Sequence, residues 1–128
     1  MLRSVTAPGA PQAIGPYSPA VRAGQLLFLS GQIALDPESG TLVGADITAQ
    51  TEQVFRNISA ILEAAGSSLA HVVRCGVFLV DMGEFQKMNG VYARVFGDHR
   101  PARTTVEVSG LPGPGLRVEI DAIAVIPR

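Results

Sequence analysis

The feature of the sequence that most constrains the fold is a long helix with a single apolar face. Asp46 is a suitable N-cap, and Gly66 stands where a C′ glycine belongs. The apolar residues between them that fall at helical spacing on one face are Val54, Ile58, Ile61, Leu62 and Ala65. Such a helix needs a second layer to cover it, and the flanking β-type segments predict that this layer is a sheet.

The other elements follow from shorter patterns. Their predicted positions are strands on either side of a turn at Ala23-Gly24, a strand at Val72–Val80, a second helix at 83–96 capped by Asp81, and strands at 103–109 and 116–126. The Pro- and Gly-rich segment Ala7–Pro19 is predicted to be an ordered surface loop that presents Tyr17. The order is β-β-α-β-α-β-β, without repeated βαβ units. We therefore expect an α+β fold in which a mixed sheet carries both helices on one face.

Composition narrows the classes of function. The chain has 128 residues, which fits a single domain spanning residues 1–128. Its hydrophobic content of 47% against 16% charged residues suggests that some apolar surface serves a subunit interface. A net charge of −1 without a cluster of Lys or Arg argues against a nucleic-acid partner. No signal sequence or membrane-spanning run is apparent, so a cytoplasmic protein without a membrane partner is expected.

The last two strands each carry charged residues on one face. One face of residues 103–109 holds Arg103, Thr105 and Glu107, and one face of residues 116–126 holds Arg117, Glu119 and Asp121. If the two strands pair as a hairpin, matching their apolar faces puts all six polar residues on the same face of the sheet. An arginine there can bind a carboxylate, and a crowded acid can transfer protons. The alternative is that these charges are simply solvated.

Other site chemistries lack support in the sequence. Cys75 is the only cysteine and lies in an apolar strand, which favours a buried, inert thiol. His71 and His99 are isolated, with no ligand spacing for zinc around them. There is no Gly-x-Ser-x-Gly elbow and no phosphate-binding glycine loop. We therefore expect neither a metal nor a cofactor.

Several motifs, in order along nearly the whole chain, resemble the Rid (YjgF) family. They are Ile14-Gly15-Pro16-Tyr17-Ser18-Pro19, Ser30-Gly31-Gln32-Ile33, Leu62-Glu63-Ala64-Ala65-Gly66, Pro101-Ala102-Arg103, Glu107 and the tail 118–125. The resemblance implies a chorismate-mutase-like fold and a homotrimer whose sheets face inward. It also implies active sites in the clefts between subunits.

The resemblance further implies a reaction and the residues that perform it. The activity would be hydrolysis of reactive 2-enamino and 2-imino acids, such as 2-aminoacrylate, 2-iminopropanoate and 2-iminobutanoate, to 2-keto acids and ammonia. Arg103 would bind the substrate carboxylate and Glu119 would position or activate water, with Tyr17 as a further proton donor. The residues implied to line the pocket are Ser30, Gly31, Asn89 and Thr105. Thr105 replaces the cysteine of the best-known members, and the stretch between Asn89 and Arg103 is shorter than theirs.

Rival interpretations stay open at the level of sequence. The same fold can serve a small-metabolite-binding regulator, a holdase-like chaperone or an endoribonuclease. Taken alone, Tyr17 is explained by packing of its loop, Ser30-Gly31 by a β-bulge, and Asn89 by an exposed helix position. Glu119 and Asp121 would then form interface salt bridges with Arg117.

Overall fold

The computed structural model describes residues 1–128 and contains one six-stranded mixed sheet. The strands are β1 (Leu2–Val5), β2 (Ala20–Ala23), β3 (Leu26–Gln32), β4 (Val72–Leu79), β5 (Ala102–Glu107) and β6 (Val118–Val125), and the helices are α1 (Ile47–Ala64) and α2 (Phe85–Phe96). The order of strands across the sheet is β1-β2-β3-β6-β4-β5. All neighbouring strands are antiparallel except β4 and β5, which are parallel.

The residues predicted to cap α1 do so at both of its ends. The Asp46 carboxylate accepts a hydrogen bond from the Ala49 amide at 2.8 Å, and Gly66 adopts a φ of +82° just beyond α1. The Asp81 carboxylate caps a short 3₁₀ turn at Met82–Glu84 by accepting from the Gly83 amide. This turn occupies the first residues of the predicted second helix, so α2 begins at Phe85 rather than at position 83.

Both helices pack on one face of the sheet, and the α+β prediction is confirmed. The largest fully buried side chains of this core include Leu27, Ile58, Ile61, Leu62, Leu79, Met88 and Ile120. Cys75 lies fully buried among them, and burial raises the pKa of its thiol to about 11. The thiol is therefore protonated at neutral pH, which agrees with an inert cysteine.

The strands of the structure differ from the predicted ones in two ways. The first strand, Leu2–Val5, was not predicted, because its four residues are almost fully exposed and show no alternation. The predicted hairpin of the last two strands does not form, since β4 lies between β5 and β6. The reason is that β4, α2 and β5 make one crossover unit, which places β5 parallel to β4 at the sheet edge.

This topology separates the charged faces that the hairpin would have joined. Arg103 is paired with Cys75, and Thr105 with Val77, so both point to the helix side of the sheet. Glu119 and Asp121 alternate with the buried residues of β6 and therefore point to the other side, which we call the open face. The prediction that Arg103 and Glu119 share one sheet face was therefore wrong.

The open face carries apolar side chains that nothing in the chain covers. Leu26, Phe28 and Val106 are 42%, 40% and 39% exposed, and each lies on this face. Ile123 and Val125 lie between them on β6 and are half-buried. Neither helix combines the length and apolar character that crossing a membrane requires.

Candidate functional site

Six of the residues predicted to form the site lie in two separate groups, and the first of these groups surrounds Glu119. Glu119 projects from β6 into an open cavity of about 450 Å³. The cavity is lined by Ile14, Tyr17, Ser30, Gly31, Ile33, Pro112 and Glu119. We call this group the Glu119 half-site. It brings together Tyr17, Ser30, Gly31 and Glu119, which come from two strands and the N-terminal loop.

A β-bulge places Gly31 against Glu119. Leu29 pairs with Ala122 and Gln32 pairs with Ile120, so β3 has one residue more than β6 over this stretch. A Cβ atom at Gly31 would lie only 2.1 Å from Glu119 Oε2. The Glu119 carboxylate therefore occupies the space that any other residue at position 31 would fill.

The loop that carries Tyr17 is fixed to the same strand. The Ser30 hydroxyl donates a hydrogen bond to the Ser18 carbonyl at 2.7 Å, and the Ser30 amide donates to the Pro19 carbonyl at 3.0 Å. Tyr17 remains 45% exposed, and its hydroxyl accepts a bond of 3.3 Å from the Ile14 amide. Ser30 thus has a structural role in holding Tyr17 at the rim of the cavity, in addition to any contact with a ligand.

The environment of Glu119 suits proton transfer. Partial burial, and secondly the charge of Asp121, raise the pKa of Glu119 above its usual value. Its carboxylate forms no hydrogen bond or ion pair within the chain, whereas Asp121 accepts a bond from the Gly76 amide at 2.8 Å. Glu119 is therefore the acid on the open face that is free to act on a ligand or a water molecule.

The second group surrounds Arg103 on the helix side of the sheet edge. Here an open cavity of about 510 Å³ is lined by Asn89, Tyr92, Ala93, Arg100, Pro101 and Arg103. We call this group the Arg103 half-site. Arg103 Nη1 donates to Asn89 Oδ1 at 2.7 Å, so the predicted pair of Asn89 and Arg103 does meet.

Two aromatic rings of α2 hold the Arg103 guanidinium in place. Its central carbon lies 4.6 Å from the centre of the Tyr92 ring and 5.4 Å from that of Phe85. No acid forms an ion pair with Arg103, and its other guanidinium nitrogens have no hydrogen-bond partner in the chain. The cation is thus oriented but not neutralised, which suits binding of a planar carboxylate.

The sequence did not predict Phe85 and Tyr92 as residues of the site. Their spacing of four and three residues around Asn89 puts all three side chains along neighbouring turns of α2. That spacing was the feature of the sequence from which both residues could have been predicted.

Two buried hydroxyls near this edge, those of Tyr92 and Thr105, have no hydrogen-bond partner in the chain. Glu107, on the same strand, instead accepts a bond from the Met82 amide at 2.7 Å.

The two half-sites cannot act on one small molecule within a single chain. Arg103 points to the helix side of the sheet and Glu119 to the open face, with the backbone of the sheet between them. Arg117 joins neither group, because its guanidinium forms an ion pair of 2.6 Å with Glu84. Each half-site is open, one with an arginine and the other with a carboxylate that forms no ion pair in the chain.

Comparison with known proteins gives the family of the chain. Residues 7–126 match the family described as endoribonuclease L-PSP. A RutC family protein of Pyrococcus horikoshii is 56% identical over 90% of this chain and 90% of its own length. The 2-iminobutanoate/2-iminopropanoate deaminase of Mus musculus is 45% identical over 91% of this chain and 85% of its own length. The crystal structure of E. coli TdcF with bound serine superposes with a TM-score of 0.90 at 37% identity, covering 96% of this chain and 98% of that one.

The fold and the two half-sites define a small α+β protein with an arginine that forms no ion pair on one side of its sheet and a carboxylate that forms none on the other. The chain belongs to the endoribonuclease L-PSP family, which is also the family of the Rid proteins. Imine deaminases are found within that family.

Proposed function

We propose that this protein hydrolyses reactive 2-enamino and 2-imino acids to 2-keto acids and ammonia. The observation that carries the proposal is the Arg103 guanidinium, which is oriented by Asn89 and two aromatic rings but paired with no acid. A carboxylate is the planar anion that best fits such a fork. Serine bound to E. coli TdcF supports a ligand of amino-acid size in this fold.

The proposed active site is completed by a second copy of the chain. A homotrimer with inward-facing sheets would cover the exposed apolar side chains Leu26, Phe28 and Val106. In such a ring each interface joins different surfaces of its two chains, so the Arg103 half-site of one can face the Glu119 half-site of the next. The opposite orientations of Arg103 and Glu119 support this arrangement, because only a neighbouring chain can bring them together.

In the proposed reaction Arg103 and the Gly31 amide bind the carboxylate and fix the C=N carbon beside a water molecule. Glu119 accepts a proton as the water oxygen bonds to that carbon. The proton then passes to the nitrogen, which gives a carbinolamine. Transfer of the carbinolamine hydroxyl proton to the nitrogen, again through Glu119, accompanies formation of the C=O bond and cleavage of the C–N bond, so ammonia and the 2-keto acid are released. For an enamine, Tyr17 or Glu119 first protonates the terminal carbon to give the imine. Since imines hydrolyse readily in water, positioning and proton transfer supply the required acceleration without a metal or cofactor.

The test is release of keto acid from a freshly generated imine. A pyridoxal-phosphate-dependent serine/threonine dehydratase supplies the imine, and wild-type protein or its Arg103→Ala variant is added. Loss of charge-assisted bonds to the carboxylate should lower kcat/KM by about 100-fold or more. Arg94→Ala is the matched control, because Arg94 forms an exposed ion pair with Glu52 away from both half-sites. Its rate should equal that of the wild type.

Two results would contradict the proposal. Equal acceleration by the wild type and Arg103→Ala would show that Arg103 does not bind the substrate. No acceleration with imines derived from serine, threonine or leucine would favour a ligand-binding regulator on the same fold.

A further inference from the structure

The Arg103 half-site contains a second arginine that the proposed reaction does not use. Arg100 lines the same cavity of about 510 Å³ as Arg103, and no acidic residue lines it. Neither arginine belongs to an ion pair in the chain. Two positive charges in one cavity repel each other, so the cavity favours an anionic ligand that neutralises both.

The hydrogen bonds of Arg100 leave most of its guanidinium free. Its Nη1 donates to the carbonyls of Gly97 and His99, in the turn that follows α2. Its Nε and Nη2 have no partner in the chain, and the side chain is exposed. Arg103 likewise uses only Nη1, toward Asn89. Each guanidinium therefore keeps an edge that can bind a carboxylate.

The two arginines are close enough for one small ligand. They are three residues apart, and three residues of extended chain span at most about 10 Å. Both side chains line one cavity, so a small ligand in that cavity can reach both guanidinium groups. A substrate with a single carboxylate would occupy Arg103 and leave Arg100 without an anion.

We propose that Arg100 is a specificity residue that binds a second carboxylate, so the preferred substrates are 2-imino acids with an acidic side chain. This proposal rests on the proposed function for the reaction itself, and adds the substrate class. The alternative role of Arg100 is structural, because its bond to the Gly97 carbonyl helps to end α2. Only the specificity role predicts that removing the positive charge of Arg100, with a hydrogen-bond donor kept, changes the preference between substrates.

Arg100→Gln separates these roles, since glutamine keeps a donor for the Gly97 carbonyl but removes the charge. A flavin-dependent amino acid oxidase of suitable specificity would generate each imine, one from glutamate and one from a monocarboxylic amino acid. The wild type should prefer the glutamate-derived imine. Arg100→Gln should lower kcat/KM for that imine by about 10- to 100-fold, through KM, and have a much smaller effect on the monocarboxylic imine, which has no second carboxylate to lose. An equal loss on both imines, or a wild type without preference, would overturn the proposal.

Binding of products distinguishes failure of this inference from failure of the proposed function. Titration calorimetry with 2-oxoglutarate and 2-oxobutanoate needs no catalysis. Tighter binding of 2-oxoglutarate that Arg100→Gln abolishes would support the dicarboxylate site even if no imine is hydrolysed. Hydrolysis of monocarboxylic imines together with equal binding of the two keto acids would overturn this inference and leave the proposed function standing.

Discussion

A single methyl group at Gly31 should inactivate the protein while leaving it folded. An ideal Cβ at this position lies 2.1 Å from Glu119 Oε2 and 2.8 Å from Glu119 Cδ. An ordinary van der Waals contact begins at 3.4 Å, so the carboxylate oxygen must move by at least 3.4 − 2.1 = 1.3 Å. Glu119 ends in a flexible side chain without hydrogen bonds in the chain, and it can make this movement by changing rotamer.

The displacement should appear in catalysis rather than in stability. A shift of about 1 Å in a catalytic group costs on the order of 100-fold in rate. We therefore expect Gly31→Ala to lower kcat for imine hydrolysis by about 100-fold. The backbone of Gly31 needs no positive φ, so the free energy of unfolding should change by no more than about 1 kcal/mol.

The assay is keto-acid release with dehydratase-generated imine, paired with urea unfolding. Gly110→Ala is the matched control, because its Cβ would meet no atom within 4 Å and its φ is also not positive. That variant should retain the kcat of the wild type. A Gly31→Ala protein with unchanged kcat would refute the reasoning, since the position of Glu119 would then not matter for the reaction.

Substitutions at three further residues test other parts of the account. Asp121→Asn removes a like charge beside Glu119, so the pKa of Glu119 should fall and the acidic limb of the rate profile should move to lower pH; an unmoved limb would exclude Glu119 as the titrating group. Tyr92→Leu removes the ring that contacts Arg103 and should raise KM by about 2- to 30-fold, whereas Tyr92→Phe should restore it; steady-state kinetics on both variants check this. Gln50 is fully buried, and its amide group bonds to the carbonyls of Gly44 and Gly115 and to the amide of Arg117. Gln50→Ala removes these three bonds and should lower the free energy of unfolding, measured in urea, by about 1–3 kcal/mol; a smaller change would show that the bonds do not stabilise the fold.

Local patterns predicted most of the elements, because each depends on neighbouring residues. The cap at Asp46, the glycine at position 66 and the turn after Ala23 all lie where hydrogen bonding and φ require them. The alternation along β6 also predicted which of its side chains face the helices. The α+β class follows from these elements alone, since few architectures bury two amphipathic helices and a set of strands.

The pairing of β5 was beyond the reach of such patterns. Alternation divides β5 into two faces but does not decide which strand lies beside it. Arg103 was predicted to share a face with Glu119, yet Arg103 lies on the helix side while Val106 lies exposed on the open face. An edge strand at the margin of the helical layer can place a charged residue there, because the aromatic rings of α2 stack on it without sealing it from solvent.

The geometry of the site could not be predicted for the same reason, because it depends on which strands are neighbours. The residues Arg103, Asn89, Glu119 and Gly31 were predicted from the family resemblance, and their separation into two half-sites depends on topology. The bulge in β3 was considered only as an alternative to a functional role for Ser30 and Gly31. In the structure the bulge brings Gly31 next to Glu119. The bulge is therefore compatible with the role proposed for Gly31 in the site and is not an alternative to it.

The most direct test of a catalytic site shared between chains is to mix two inactive variants. Arg103→Ala and Glu119→Gln are unfolded together in equal amounts, refolded, and assayed for keto-acid release. If each site takes Arg103 from one chain and Glu119 from the next, about one quarter of the interfaces in randomly mixed rings are intact, and the mixture should recover about that share of wild-type activity. A mixture as inactive as either variant alone, in rings shown by native mass spectrometry to be mixed, would contradict the shared site.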